Sequence, residues 1–176
     1  GPVTAQDSDY FLLFNNNNDP LFVYGLGEDN RPGRFIEAND IACRMFGFTI
    51  EELTEKSLLD FIVPEEADSF LQICQTLPDF RYTLFETEIV NRKGRRIPLE
   101  ISTHLFEKDG GALIISSTRD LTERRKAEDS LKQREKRYRT LFESSPMPYC
   151  SLDESASIVD VNGKWLEVFG YARSEV

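Results

Sequence analysis

An internal repeat constrains this 176-residue chain more than any other feature of its sequence. Residues 39–52 match residues 162–175 at an offset of 123, and upstream of position 34 the offset becomes 128. The five-residue difference falls in the glycine-rich segment 25–33, where a surface loop accepts an insertion. The chain therefore holds one complete unit and about 40 residues of a second one. The paired residues are Asn39 with Asn162, Phe46 with Phe169, Gly47 with Gly170, Glu52 with Glu175, and, upstream, Tyr10, Leu13, Phe14 and Pro20 with Tyr138, Leu141, Phe142 and Pro148.

The complete unit has the hydrophobic periodicity of two strands, several helices and a three-stranded meander. Asn39 and Thr49 are typical N-cap residues, and Gly47 is a typical helix stop. A longer helix is predicted to start at Pro64 and to be closed by Pro78. We expect an α+β fold in which an antiparallel sheet is covered by helices on one face. The predicted elements include a lead-in helix at 7–14 and strands at 21–24, 34–38, 81–90, 96–106 and 112–115.

A strongly charged segment follows the meander. Residues 121–141 carry eight basic and four acidic side chains, a net charge of +4, and the remainder of the chain carries −14. Mixed signs favour a solvated helix over a nucleic-acid-binding one, and an acidic body repels nucleic acid and anionic membranes. We predict one helix over 121–142 that connects the two units. Its weak coiled-coil seam, which Arg134 interrupts, consists of Ala127, Leu131, Tyr138 and Leu141.

Composition and motifs exclude several classes of function. There is no run of about 18 apolar residues, and the first residues lack the basic and apolar regions of a secretory signal. Cys43, Cys74 and Cys150 are odd in number and form no C-x-x-C motif, so we expect a reduced, cytoplasmic compartment, although a parent protein could be membrane-tethered. With one histidine, His104, no His/Cys metal site is expected. No phosphate loop or nucleophile motif is present, so we expect no enzyme activity and no catalytic residues.

Five segments occur in an order that is specific in combination. They are Phe35 to Asn39, Phe46 to Leu53, Phe61 to Glu66, Asn91 to Arg95, and Arg119 to Arg124 with its Asp-x-Thr motif. In these segments the chain resembles the PAS domain, a sensory module found in tandem in bacterial and archaeal signalling proteins. The resemblance covers residues 8–122 and again 138–176. It implies a five-stranded antiparallel sheet with helices on one face, enclosing a pocket, and a signal that leaves through the C-terminal helix.

The resemblance also suggests how the chain is divided. Residues 1–7 are interpreted as an N-terminal tail, in which Gly1-Pro2 resembles the remnant of a protease site. Residues 8–120 form the sensory domain, 121–143 the connector helix and 144–176 the beginning of a second sensory domain. Histidine kinases and diguanylate cyclases are common outputs of the family, and neither is in this chain. In the second domain, Ile158, Val161, Trp165 and Phe169 are expected to be poorly protected or covered by another chain.

Candidate site residues follow from the core pattern and from the resemblance. Nine apolar residues are expected to face the interior, where they form either a filled core or the lining of a cavity for a small, largely apolar ligand. Family resemblance makes Asp120 and Thr122 the signal-transmission point, and both are also suitable helix-capping residues. The nine interior residues are Phe70, Ile73, Cys74, Tyr82, Leu84, Leu99, Ile101, Leu113 and Ile115.

The sequence does not identify a cofactor, but a flavin adduct and haem are not expected. The family's flavin photosensors carry a cysteine in an Asn-Cys-Arg-Phe segment, whereas Cys43 lies in Ala-Cys-Arg-Met. Its haem-binding members use a histidine on the long core helix, and residues 70–77 contain none. The leading hypothesis is a sensory input module that forms a homodimer and senses a small ligand or cofactor state. The alternative is a purely structural dimerisation module with a filled core. Neither hypothesis includes nucleic-acid binding or direct membrane contact.

Overall fold

The computed structural model describes residues 14, 18–108 and 110–175 of the chain. It divides into two compact units, residues 1–123 and 124–176, and each is described by itself. The lead-in helix predicted at 7–14 lies outside the described residues apart from Phe14, which is buried.

The first unit is built on a five-stranded antiparallel sheet in the order β2-β1-β5-β4-β3. This confirms the predicted fold class, and each strand is longer than or nearly equal to its predicted range. The largest difference is in the last strand, which was predicted only at 112–115. The strands are β1 (Leu21–Leu26), β2 (Pro32–Ala38), β3 (Tyr82–Val90), β4 (Arg96–Lys108) and β5 (Gly111–Asp120).

Helices cover one face of this sheet. They are α1 (Asp40–Phe46), α2 (Ile50–Leu53) and α3 (Ala67–Phe80), with 3₁₀ turns at Leu58–Asp60 and Pro64–Glu66. Asn39 caps α1, and Thr49 and Glu52 form the predicted capping box at α2. The prediction that Pro78 closes α3 is wrong, because the helix continues to Phe80. Pro78 removes one backbone hydrogen bond and crowds the carbonyl group four residues before it, but the helix still forms its last turn through Phe80.

Four phenylalanines fill the core beneath α1. The rings of Phe22, Phe35 and Phe46 lie 5.4–5.5 Å apart between centroids, and Phe61 lies 4.6 Å from Phe46. All four side chains are buried. Edge-on and tilted aromatic contacts at these distances are favourable in addition to the apolar area they bury.

Four of the nine residues predicted to face the interior point away from it. Tyr82 and Leu84 on β3 are about half exposed, and Leu113 and Ile115 lie on the outward face of β5. Successive side chains of a strand alternate between its two faces, and the prediction assigned the wrong alternate set to the interior in both strands. The inward residues are instead Phe85, Thr87 and Ile89 on β3 and Ile114, Ser116 and Thr118 on β5.

The long helix α4 (Thr122–Ser144) leads into the second unit, which repeats the beginning of the first. The repeat is exact in strand register. Cys150 pairs with Val161 as Phe22 pairs with Ala38, and the bulge falls at the same place in both ladders. The loop between the two strands has five residues in each unit, 27–31 and 153–157. The prediction that the five-residue difference lies in a surface loop is therefore wrong, because the extra residues lengthen the two strands of the first unit. The second unit contains β6 (Cys150–Leu152), β7 (Ile158–Val161) and α5 (Gly163–Phe169).

The apolar face of the second unit is largely exposed. Phe169 is 55% exposed and Ile158 is 41% exposed, whereas Phe46 and Phe35, their counterparts in the first unit, are buried. Their exposure is consistent with the expected poor protection, which stays a prediction. Val161 is only 2% exposed, because it lies within the β6–β7 ladder.

Candidate functional site

A groove of about 210 Å³ lies between α3 and β3 in the first unit. Its apolar part is formed by Phe70, Ile73 and Phe85, and the rings of Phe70 and Phe85 lie 5.9 Å apart between centroids. Phe70 is a core residue and Phe85 packs against the core, so the floor of the groove is the core itself. The groove is completed by Glu66, Ser69, Glu86 and Thr87.

One carboxylate fixes the edge of the groove. Glu66 Oε2 accepts hydrogen bonds from Thr87 Oγ1 and from the backbone nitrogen of Glu88, both at 2.7 Å. Glu66 belongs to the turn that precedes α3, so these bonds attach the start of α3 to β3. Two hydrogen bonds to one carboxylate oxygen thus hold this edge of the groove.

Buried hydroxyl groups form a polar cluster in the core. Thr103 Oγ1 and Ser116 Oγ lie 3.1 Å apart, and both side chains interact with the buried phenol of Tyr24 and act to lower its pKa. Burial, with a further contribution from nearby Cys74, raises the pKa of Tyr24, so the phenol is neutral at physiological pH. Burial also raises the pKa of the Cys74 thiol to about 12. This thiol is therefore protonated and a poor nucleophile.

The nine predicted interior residues are thus divided among three places. Phe70 and Ile73 line the groove, and Cys74, Leu99 and Ile101 are buried in the core. The remaining four lie on the outward face, as described above.

The sequence prediction missed Phe85 and the hydroxyl cluster, and a signal for both was available. The Asn91 to Gly94 turn places Ile89 opposite Ile97. Because paired residues lie on the same face of a sheet, the inward residues of β4 identify the inward residues of β3. The same argument across the next hairpin assigns Thr103 and Ser116 to one face.

The junction between β5 and α4 contains the two predicted signal-transmission residues. The backbone nitrogen of Thr122 donates to Asp120 Oδ1 at 2.7 Å, and that of the buried Leu121 donates to the carbonyl oxygen of Pro98 at 2.9 Å. The start of α4 is therefore attached to β4 as well as to β5. The Oγ1 atom of Thr122 is buried and has no hydrogen-bond partner among the residues that the structure describes.

The predicted dimer seam on α4 faces solvent. Leu131 is 68% exposed, and Tyr138 and Leu141 are also more than half exposed. Ala127 is exposed as well. On the described part of the chain, no group of three or more His, Cys, Asp or Glu residues could hold a metal ion. No described helix combines the length and apolar character needed to cross a membrane.

Comparison with known families identifies the class of protein that this fold defines. A sequence model of the PAS domain matches residues 18–123, which is more than half of the chain, and a second PAS domain model matches residues 136–176. The chain therefore belongs to the PAS domain family. It is a sensory input module of the kind found in signalling proteins, and PAS domains are in general not catalytic.

Two curated relatives are signalling proteins. The chain is 28% identical over 152 residues to the methyl sulfide methyltransferase-associated sensor of Methanosarcina acetivorans, a match that covers 86% of the chain and 15% of the relative. It is 23% identical over 167 residues to sporulation kinase E of Bacillus subtilis, a match that covers 93% of the chain and 21% of the kinase. The chain thus spans only a small part of the length of these relatives.

Solved structures share the fold. The PAS domain of a two-component sensor histidine kinase superimposes with a TM-score of 0.56 at 22% identity, covering 65% of this chain and 96% of that one. The PAS domain of an HTR-like protein from Haloarcula marismortui gives 0.56 at 21% identity, covering 65% and 91%. An RNA-binding light-oxygen-voltage receptor gives 0.60 at 15% identity, covering 75% and 38%.

Proposed function

We propose that the first unit senses a small, largely apolar ligand in the groove between α3 and β3 and relays its presence to α4. The groove carries the proposal, because it combines an apolar floor formed by Phe70, Ile73 and Phe85 with a few polar groups at its edge. That combination is typical of ligand sites. A volume of about 210 Å³ favours a small molecule.

The hydroxyl cluster supports a route from the groove to the junction. Ser116 lies on β5, which ends four residues later at Asp120. A ligand that reaches the core would exchange hydrogen bonds with Tyr24, Thr103 or Ser116 and would shift β5 along its length. Buried hydroxyls that lose a partner cost about 1–3 kcal/mol, which is enough to change the population of two packing states severalfold.

The buried Thr122 hydroxyl, which has no hydrogen-bond partner among the described residues, supports a two-state junction. A buried hydroxyl without a partner is costly, so a second arrangement in which Thr122 Oγ1 gains one is accessible at small energy. Asp120 would act with it, because its carboxylate already holds the first backbone nitrogen of α4. In this proposal the ligand selects between the two arrangements and so changes how α4 begins.

The partner is a second copy of the chain, paired through the exposed seam Ala127, Leu131, Tyr138 and Leu141. The names of the relatives, a sensor and a kinase, support a place ahead of a signalling output, for which we propose a histidine kinase or a diguanylate cyclase in the cytoplasm. The packed phenylalanine cluster favours a second candidate, a purely structural dimerisation module. The two candidates differ in whether the groove binds anything.

A plugged variant tests the ligand site. Ile73→Trp fills the groove, and Leu84→Trp adds the same ring on the exposed outward face as a matched control. Indole and cyclohexanol serve as probes in titrations followed by NMR. We expect both to shift the amide signals of Phe85 and Ser116 in the unmodified chain and in the control, but not in the plugged variant. Shifts that persist in the plugged variant, or that never occur, would contradict the proposal.

A further inference from the structure

Two buried asparagines, Asn39 and Asn162, occupy the same place in the two units, and neither has any exposed surface. Each caps a short helix and also makes three hydrogen bonds to backbone groups outside that helix. In the second unit these bonds join the end of α4, the start of β6 and the start of α5. The Asn162 amide nitrogen donates to the carbonyl oxygens of Phe142 at 2.9 Å and Met147 at 2.8 Å, and its oxygen accepts from the backbone nitrogens of Tyr149 and Trp165, both at 2.9 Å.

Glu143 makes a second attachment at the same end of α4. Its Oε2 atom accepts from the backbone nitrogen of Gly163 at 3.0 Å, and its Oε1 atom accepts from Arg173 Nη2 at 2.8 Å. The Arg173 guanidinium also lies 3.8 Å from an Asp160 carboxylate oxygen on β7. One carboxylate of the connector helix therefore contacts α5 directly and β7 through an arginine.

The residue types at the equivalent positions of the first unit do not allow the ion pair of this second attachment. The repeat offsets place Asn15, Asp40 and Ile50 at the positions of Glu143, Gly163 and Arg173. Asparagine and isoleucine cannot form an ion pair. In the second unit the helix that leads in is α4, and α4 is also the helix that leaves the first unit. The added ion pair is therefore found at the end of the helix that connects the two units.

We propose that Glu143, acting with Asn162, is a positioning residue that fixes the C-terminal end of α4 to the second unit, so that a displacement of the helix reaches β6, β7 and α5 instead of being lost by fraying. This inference rests on the proposed relay through α4. Its test uses no ligand, so a negative result here leaves the plugged-groove experiment unaffected.

The attachment and the intrinsic helix preferences predict opposite changes in hydrogen exchange when Glu143 is replaced by alanine. A glutamate in the last turn opposes the helix dipole, and alanine has the highest helix propensity. If Glu143 served only the helix, Glu143→Ala would slow hydrogen exchange of the last-turn amides, 140–144. If it is an attachment, the same change speeds exchange.

The experiment is residue-resolved hydrogen exchange on the full chain. We expect Glu143→Ala to raise exchange at amides 140–144 by about tenfold, and Glu143→Gln, which keeps an acceptor for Gly163, by a smaller factor. Arg173→Gln removes the ion pair with Glu143 from the other side and should also raise exchange at these amides. Glu135→Ala, at an exposed position of the same helix, should change nothing. Unchanged or slower exchange in Glu143→Ala, or an equal rise at amides 125–132, would overturn the inference.

A pH profile separates the charged attachment from packing. Hydrogen bonds from Gly163 and Arg173, with the nearby charges of Arg173 and Arg139, lower the pKa of Glu143. Asp160, beside Arg173, is the other carboxylate in this group. The protection that Glu143 provides should therefore be complete above about pH 4.3, the ordinary pKa of glutamate, and should be lost as pH falls through the lowered pKa. Glu143→Gln should lack this step, and a step of the same size in that variant would contradict the assignment.

Discussion

Replacement of Asn39 gives the sharpest test of how the first unit is held together. The side chain has no exposed surface, and its oxygen accepts from the backbone nitrogens of Leu21 at 3.0 Å and Ala42 at 2.9 Å. Its nitrogen donates to the carbonyl oxygens of Phe14 at 3.1 Å and Asp19 at 2.9 Å. At about 1 kcal/mol for each hydrogen bond, Asn39→Ala should lower the free energy of unfolding by about 4 kcal/mol. Domains of this size have about 5–15 kcal/mol in total.

Asn39→Asp distinguishes this network from simple helix capping. Aspartate is as good an N-cap as asparagine, so a capping role alone predicts almost no change. The network predicts a loss at least as large as that of the alanine variant. The reason is that the new carboxylate oxygen would face the carbonyl oxygens of Phe14 and Asp19 with no hydrogen to share.

The assay is urea unfolding of the full chain followed by far-UV circular dichroism. With a slope of roughly 1–3 kcal/mol per molar urea, a loss of about 4 kcal/mol shifts the midpoint of the first unit by more than about 1 M. Fluorescence of Trp165, the single tryptophan, reports the second unit and should not move. An Asn39→Asp variant within about 0.5 kcal/mol of the unmodified chain would refute the reasoning.

Three further predictions concern the helix seam, the strand faces and a turn. Leu131→Lys combined with Tyr138→Lys should abolish the dimer in analytical ultracentrifugation, because both side chains lie on the proposed seam; an unchanged dimer would contradict it. Leu84→Ala should cost less than about 0.5 kcal/mol in urea unfolding, since this side chain is half exposed, whereas the fully buried Leu99→Ala should cost about 2–5 kcal/mol. Gly47→Ala should cost about 1 kcal/mol or more by the same assay, because this position has a φ of +83° and a Cβ would meet the β3–β4 hairpin at 3.0 Å; an unchanged midpoint would contradict that geometry.

The repeat was the most reliable part of the sequence analysis. Matching the two units, with an offset of 123 from Asn39 onward and 128 upstream, correctly related the residues of the two strand ladders. It worked because each asparagine has the same four backbone partners, which keeps the spacing of those partners fixed within each unit. Capping residues worked for the same reason, since a cap is a local hydrogen bond that a short sequence determines.

The inward faces of β3 and β5 were predicted wrongly because each strand was considered by itself and not through its pairing with β4. Tyr82 and Leu84 are apolar enough to suggest an inward face, yet β3 takes its orientation from its pairing with β4. The groove could not be predicted at all, because its volume is the small space left after Phe70 and Phe85 have packed. Such a remainder depends on how whole helices and strands approach each other, which no single segment encodes.

Native mass spectrometry of the purified full chain tests the central claim most directly, because it reports oligomeric state and bound ligand in one spectrum. The proposal predicts a homodimer in which each chain carries one small molecule, and Ile73→Trp should lose that added mass while remaining a dimer. A dimer with no bound molecule in either protein would contradict ligand sensing and would favour the structural dimerisation module.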